Sequence, residues 1–584
     1  MSDLSSLAPI IRREVAEERA RSFAEAKEKD TRNIIRPEAE VPEGPDVWKV
    51  LAPPPPPTPP SLSSMLRHCY RNELGDAELF QSLYRGKYAY DHSSGKWYEF
   101  DGIRWQVDKV GKVSSRLMEM AQLYENAEFM QSSEVDEAVA KKEAAAEKIK
   151  NSGEEDAELK AKALMAEAYK LQKTLSKKVE VLSGRANALR SQRRVVSVLK
   201  TAAQGENSLG LSGDEWDQHP NLLPCANGII ELDTGKLFKP EPSLYMRGMS
   251  PYPYLDLNYS DEFFMEHLER VFCGVESLID YFGLSVGCSA TGLTHKGFWV
   301  GYGPQANNGK SATFDVIKKA LGEYAITLKT DVLIDDGKSK NTGPNPEIMA
   351  LANGARMAVS SEAKRGVKFS INKIKEISGG DVLRDRDMYV GTVEFKPQAK
   401  LWLHTNHIPE MDGYDPGFQN RMRVVPFLAR FTRKADEVDT ARHVYPEMNR
   451  DLFDRKMDAC GPAILSWIVR NARRFLRGDD FTPPPIVQDY TTEYIEDQDL
   501  VGEFLTRCCD RGECLETQAK PLYMAFKKFC AEEKGLSEKY IRTLKTFMGD
   551  IRQKGLQTIR NTYVFVQGVA VKESWQGVNR GDDE

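Results

Sequence analysis

No apolar run in the 584-residue chain approaches the roughly 18–20 residues that a membrane span needs. The opening Met1-Ser2-Asp3-Leu4 also lacks the charged-then-apolar order of a secretory signal. Both absences predict a cytoplasmic protein with no membrane partner. Metal-binding cysteine patterns are missing too. The nine cysteines are scattered, apart from Cys508, Cys509, Cys514 and Cys530, and there no C-x-x-C spacing occurs and no histidine is close. Buried, reduced thiols therefore fit better than zinc. Nor is there an excess of positive charge. A net charge of −6 carries no global nucleic-acid signature, so any DNA contact must come from local basic patches. What is present is the composition of a globular chain, 41% hydrophobic and 29% charged, long enough for about three to four folded units.

Residues 1–64 read as a disordered, proline-rich segment. Positions 12–29 are charge-dense with few apolar residues, a solvated helix or an interaction tail. Seven prolines within 53–60 enforce an extended spacer. An α+β unit is expected over 65–255. Asn72-Glu73-Leu74-Gly75-Asp76 opens a helix, and short strands follow that carry Trp97, Tyr98, Phe100 and Trp105 as the core of a small sheet. Residues 113–203 are helical. The break Asn151-Ser152-Gly153 between 134–150 and 155–182 predicts an antiparallel helical hairpin inserted at about 125–185. Its seam is Ala-rich and only weakly heptad, which suits a solvated arm or a docking site for a replication partner or neighbouring subunit. Two short strands are expected over 221–235, then amphipathic helices over 261–272 and 275–289.

The chain is organised around Phe298-Trp299-Val300-Gly301-Tyr302-Gly303-Pro304-Gln305-Ala306-Asn307-Asn308-Gly309-Lys310-Ser311. An apolar strand, a Gly/Asn-rich loop, Gly-Lys-Ser and a helical pattern are the context of a P-loop. Its backbone N–H groups and the helix N-terminus would hold phosphates. Lys310 would reach the β- and γ-phosphates and Ser311 would ligate Mg²⁺. Five residues rather than four separate Gly303 from Gly309, so Lys310 and Ser311 carry the assignment more firmly than Gly303.

Downstream, the apolar stretch 354–361 ends in Glu362, where a Walker B acid would polarise the attacking water. Lys373-Ile374-Lys375-Glu376-Ile377-Ser378-Gly379-Gly380-Asp381 suits a loop approaching a phosphate backbone. A second apolar strand, Lys400-Leu401-Trp402-Leu403-His404-Thr405, ends in Asn406, placed for the γ-phosphate or the water. Arg421 and Arg423 precede Val424-Val425-Pro426-Phe427, and one of them could serve a neighbour's ATP. Beyond three prolines at 483–485, helices over 499–507, 517–532 and 537–554 lead to two strands, 556–559 and 562–571. The last helix carries Lys539, Arg542, Lys545 and Arg552, which suits phosphate contacts in a groove.

In that order these motifs resemble a superfamily 3 helicase, and more narrowly the phage and plasmid primase–helicases related to the poxvirus replicative NTPase. The likeness extends to the Tyr98…Asp101-Gly102…Trp105 piece and to Asn227-Gly228-Ile229-Ile230-Glu231-Leu232 with Thr234-Gly235. The resemblance implies a multidomain α/β fold. A pre-helicase α+β domain (65–255) would precede a P-loop, AAA+-like NTPase core (256–478), followed by a winged-helix domain with a short tail (479–584). It implies nucleotide contacts at Gly303, Asn308, Gly309, Lys310, Ser311 and Ala312, and Mg²⁺ at Ser311 and Glu362. Glu362 would be catalytic, Asn406 a sensor, and Arg421, with Arg423 as second choice, a finger acting in trans. DNA contacts are expected from Lys373, Lys375, Arg384, Arg386 and Lys396, and from Lys539, Arg542 and Lys545; Asp387-Met388-Tyr389 stands where relatives place a pore-hairpin tip. The implied activity is that of a hexameric, ATP-dependent DNA helicase on single-stranded and forked DNA, in a phage or mobile element of a bacterial cell. Primase activity is not expected, because only about 64 low-complexity residues precede the family-like part. The alternative is an ATP-gated DNA-binding initiator or defence factor, which would not need Glu362, Asn406 and Arg421 together.

Overall fold

The computed structural model describes residues 60–335, 345–364, 366–387, 391–411, 415–535, 538, 541–560 and 562–575. The charged segment 12–29 and nearly all of the proline run lie outside them. So do Met388 and Tyr389, the expected hairpin tip, Lys539, and the side chain of Arg386.

α1 (Leu62–Tyr70) and α2 (Asn72–Tyr84) lead into an antiparallel meander of β1 (Tyr88–Asp91), β2 (Lys96–Phe100) and β3 (Trp105–Val107). Strand alternation sorts the rings of this sheet. Tyr98, Phe100 and Trp105 turn to one face and are buried with Leu211 and Trp216. Tyr88 and Trp97 turn to the other, toward the helices. α3 (Lys112–Lys150) and α4 (Ala157–Leu189) form the expected antiparallel pair, with the connection at 151–156. α3 has 39 residues, about 58 Å at 1.5 Å per residue. The base of the pair is rooted in a core containing Leu117, Tyr124, Leu182 and Leu189. Further out the buried seam is mostly alanine (Ala146, Ala157, Ala161, Ala168), and Lys142 reaches Glu167 across it at 2.8 Å. α5 (Gln192–Ala202), capped by Ser191, returns the chain to the sheet, where β4 (Gly210–Leu211) pairs with β1 in parallel. Asp76, fully buried, accepts from Arg185 at 2.9 Å and from Arg194 at 2.8 Å, which fastens α2 to α4 and α5.

β5 (Leu222–Cys225), β6 (Gly228–Glu231) and β7 (Lys236–Phe238) form a second meander. Its apolar residues share one buried cluster with those of α6 (Glu262–Val271) and α7 (Glu276–Ala290). α6 is amphipathic as expected, but α7 is not: Leu278 and every residue from Tyr281 to Ala290 are buried. Gly283 and Gly287 explain this, since a Cβ at either would strike Asn471 of a helix packed alongside.

A five-stranded parallel sheet follows. Its strands are β8 (Phe298–Tyr302), β9 (Ala325–Thr327), β11 (Met357–Ser361), β15 (Lys400–Thr405) and β16 (Met422–Pro426), in the order β16-β8-β15-β11-β9. Both faces are covered, as parallel sheets require. Trp299, Val359 and Trp402 enter one cluster, while Phe298, Val300, Leu401 and Leu403 enter the other. α8 (Lys310–Leu321) follows β8. β10 (Ile334–Asp335), α9 (Pro346–Leu351), β12 (Lys368–Phe369), α10 (Ile371–Gly379) and the hairpin of β13 (Leu383–Asp387) and β14 (Gly391–Phe395) lie among the later crossovers. The chain is thus a mixed α/β protein built on a parallel sheet.

After α11 (Pro416–Gln419) and β16, β17 (Arg430–Thr432) pairs with β18 (Val444–Pro446), and α12 (Arg450–Ala459) and α13 (Gly461–Leu476) pack back on the core. The three prolines at 483–485 do not end ordered structure on the sheet. They open α14 (Pro485–Gln498), Pro being well suited to a first turn. Thr491 accepts from Val424 N–H at 2.9 Å, which fastens this helix to β16. α15 (Leu500–Arg507), α16 (Ala519–Glu532) and α17 (Leu544–Gln553) enclose a separate apolar cluster with a three-stranded sheet. That sheet contains β20 (Thr558–Arg560) and β21 (Val564–Val571), and also a strand that the sequence does not announce, β19 (Cys509–Gln518), paired with β21. Residues 517–518, read as helical, belong to β19. No helix among the described residues is long and apolar enough to cross a membrane; α6 and α7 pass that test only as a pair bent by 113°.

Candidate active site

The parallel register brings the C-terminal ends of three strands to one edge. Ser361 lies beside His404, and His404 beside Gly301, so Glu362, Asn406 and Gly303 all follow directly at that edge. The loop between β8 and α8 turns on Gly309, whose φ of +79° favours glycine, and a Cβ there would also strike Val271. Gly303 is closely approached despite the five-residue spacing: a Cβ there would lie 2.0 Å from Asn308 Nδ2, so the Asn308 side chain would have to move.

Lys310 is only 6% exposed. Its Nζ donates to Asn406 Oδ1 at 2.8 Å, Asn308 Oδ1 at 2.9 Å and Gly303 O at 3.1 Å. All three acceptors are neutral. Burial accordingly pushes the amine down to about 8. A buried cation with no counter-ion among the described residues, at the start of a helix beside the first-turn N–H groups of Ser311 and Ala312, is an electrostatic seat for an anion. Behind the loop, the Thr313 hydroxyl donates to Gly309 O and accepts from His267 Nε2–H, each at 2.9 Å. This chain of bonds pins the loop to α6.

Glu362 is exposed, and its carboxylate makes no hydrogen bond or ion pair among the described residues. Its backbone is strained, with φ +56°, while its N–H donates to His404 O at 3.0 Å. Thr405 braces the end of β15: its hydroxyl donates to His407 O at 2.8 Å and accepts from His407 N–H at 3.1 Å. No group of three metal-ligating side chains occurs among the described residues. Ser311, exposed, and the free Glu362 make a sparse oxygen donor set. Mg²⁺ suits such a set, because it keeps its waters and takes phosphate oxygens.

Arg421 is not at this edge. It precedes β16, which pairs with β8 so that Met422 aligns with Phe298. Arg421 therefore lies at the other end of the sheet, roughly 20 Å away at about 3.3 Å per residue. There Nη1 donates to Gly417 O at 2.5 Å, and Nε is buried without a partner among the described residues. Arg423 donates to Met422 O at 2.7 Å on the same strand.

The basic residues considered for DNA divide into two groups. Lys373 pairs with Glu376 at 2.9 Å, Lys375 with Asp415 at 3.1 Å, Arg384 with Glu394 at 2.9 Å, and Arg542 with Asp550 at 2.6 Å. Arg542 also precedes α17 rather than lying on it. Lys396 and Lys545 are exposed and make no ion pair among the described residues.

Sequence reasoning missed a cavity of 440 Å³ beside the loop, lined by Phe263, His267, Asn308, Ser311, Phe431 and Phe453 among others. Its aromatic walls come from α6, β17 and α12, and Phe431 N–H donates to Asn307 O at 2.6 Å. The nearest signal in the sequence is Phe431 itself, four residues beyond the Val-Pro-Phe motif.

Residues 77–273 match the family described as D5 N terminal like. A putative helicase (022R) of Frog virus 3 is 30% identical over 237 residues, covering 39% of this chain and 24% of that protein. Over these segments the chain is similar to viral proteins named putative helicases. A mimivirus putative helicase (L207/L206) is 24% identical over 303 residues, 50% of this chain and 31% of its own. The vaccinia uncoating factor OPG117 is 24% identical over 253 residues, 40% and 31% respectively. The matched segments thus span about a quarter to a third of these relatives. The apo C-terminal region of NrS-1 is 12% identical with a TM-score of 0.31, over 55% of this chain and 80% of that one, a likeness too slight to define a shared fold.

Proposed function

We propose that the chain is an ATP-dependent DNA translocase of a mobile DNA element, working as a hexameric ring in replication. The observation that carries this reading is the junction of Lys310 and Asn406, with Glu362, unpaired among the described residues, at the same sheet edge. A triphosphate would replace the neutral oxygens around the Lys310 amine. The N–H groups of Gly309, Lys310, Ser311 and Ala312 would hold the β-phosphate. Released from Lys310, Asn406 would orient the γ-phosphate or the attacking water, and Glu362 would polarise that water. Mg²⁺, held by Ser311 and the phosphates with Glu362 nearby, would neutralise charge on the leaving phosphates. The cavity walled by Phe263, Phe431 and Phe453 would take the nucleoside end. Arg421, too far from its own Lys310, would act on the neighbouring protomer's nucleotide.

In this reading the P-loop, AAA+-like motor, expected over 256–478, extends through α14 to 498, because Thr491 and Tyr494 pack on its sheet; 65–255 is its pre-helicase domain, and the winged-helix unit begins at 499 rather than 479. Of the motor and C-terminal residues considered for DNA, Lys396 and Lys545 are, among the described residues, free to meet DNA phosphates. The relatives above come from viruses of eukaryotes, so the proposal is not tied to a bacterial host. The test is ATP turnover with and without single-stranded DNA, alongside particle mass with nucleotide. DNA-stimulated turnover by a hexamer is expected; turnover indifferent to DNA in a monomer would refute the proposal.

A further inference from the structure

The small sheet at 88–107 has a second face with an opening in it. Tyr90 and Trp97 are cross-strand partners on β1 and β2, with ring centroids 5.2 Å apart, and His92 stands edge-on to Tyr90 at 4.9 Å. Trp97 is only partly buried against the cluster that includes Leu199 of α5. Between the rings and α5 lies a cleft of 380 Å³, lined also by Val196, Leu199 and Lys200, a size and aromatic character typical of small-ligand sites. Val196 is 54% exposed, an apolar side chain held open to solvent at the cleft rim. His92 is fixed by its Nε2, 2.8 Å from Ala203 O.

Charge marks the occupant. No carboxylate lines the cleft. Arg193, Val196 and Lys200 share one face of α5 by their spacing, and both Arg193 and Lys200 are exposed without an ion pair among the described residues. Their neighbours Arg190 and Arg194 are by contrast engaged, with Glu125 and with Asp76 and Glu73. Open rings flanked by unneutralised cations are the elements of a stacking platform for unpaired bases, where rings take bases and cations take the backbone.

We propose that this cleft holds an unpaired base of single-stranded DNA against Tyr90 and Trp97, with Arg193 and Lys200 on the adjoining phosphates. The inference rests on the DNA-translocase reading and gives the pre-helicase part a direct grip on the strand outside the motor. It is tested on the full chain with an oligothymidylate carrying 5-iododeoxyuridine. Photocrosslinks to Tyr90, His92 or Trp97 are expected. Val196→Glu, which puts a carboxylate at the rim of the cleft without touching the core, should weaken binding about tenfold, the scale of one lost base stack. Arg193→Gln with Lys200→Gln should lower the salt slope by about 1.4, as for two lost contacts to a single strand. Basal ATP turnover and melting temperature should not change in either variant. Crosslinks confined to the motor, with parental affinity in all variants, would overturn the cleft and leave the translocase reading standing. Failure of the parental chain to bind DNA at all would overturn both.

Discussion

Lys310 and Asn406 meet across neighbouring strands of the parallel sheet, the amine donating to the side-chain amide oxygen at 2.8 Å. The two residues are ninety-six positions apart in sequence, and the β8–β15 register alone brings them together. The amide oxygen sits where a phosphate oxygen would compete for the amine. Lys310→Ala should therefore abolish nucleotide binding, whereas Glu362→Gln should keep binding and lose hydrolysis, because only the charge acting on water is removed. Nucleotide affinity and turnover, measured separately, check this; parental turnover in Glu362→Gln would remove that residue from the chemistry.

Gly303→Ala tests the loop's packing. The added Cβ would collide with Asn308 Nδ2, displacing the amide that holds Lys310. Nucleotide binding should fall at least tenfold while the melting temperature stays near parental. Unchanged affinity would mean that the loop tolerates the methyl group by shifting as a unit.

Assembly is probed through Arg421. Arg421→Ala should leave ATP binding near normal and reduce turnover by about 10³-fold or more, the scale on which such fingers act. Mixing it with Lys310→Ala should restore part of the activity, because one interface can then combine an intact Lys310 with an intact arginine. A mixture that stays inactive while its subunits demonstrably exchange would argue against shared sites.

The end of the motor can be located by truncation. A chain stopped at Gln498 should keep ATP turnover and lose duplex-DNA affinity contributed by Lys545. A chain stopped at Arg477 should be unstable, because it loses the Thr491 bond to Val424 and the packing of Tyr490 and Tyr494 on the sheet. Comparable melting temperatures for the two would contradict that role for α14.

Acid should loosen the motor. His267 and His404 are each 7% exposed, and burial pushes both imidazoles down from 6.5 to about 4. Unfolded, they take up protons near pH 6.5; folded, only near 4. The unfolded state therefore binds more protons across that interval, and stability present above pH 6.5 is lost as the pH falls. These two imidazoles contribute up to about 2.7 kcal/mol per pH unit, and His295, likewise pushed down to about 4 by burial, adds to the slope. Urea midpoints between pH 7 and 5 measure it, and His404→Leu should make the slope shallower.

Local signals made the β8 loop, the strands ending at Glu362 and Asn406, and the helical pair readable, because each is written in contiguous residues. The remainder depends on distant partners. β19 is invisible as a strand since its sequence, Cys509-Asp510-Arg511-Gly512-Glu513-Cys514, is polar and largely exposed. α7 reads as amphipathic although it is enclosed by α13, and α14 begins with residues that usually signal a break. Lys375 looks available for DNA until the fold brings Asp415, forty residues away, to its amine. The aromatic cavity beside Lys310 draws its walls from segments spread over 263–453, with no motif to announce it.

The alanine seam between α3 and α4 has a consequence for variation. Beyond the rooted base, little apolar surface holds the two helices together, the buried seam there being mostly alanine. Paired deletions or insertions of whole helical turns on both sides of 151–156 would preserve the seam's phase and leave the base untouched. The reach of this rod is thus a free dimension of the fold, adjustable to a partner's distance without retuning the domain at its base.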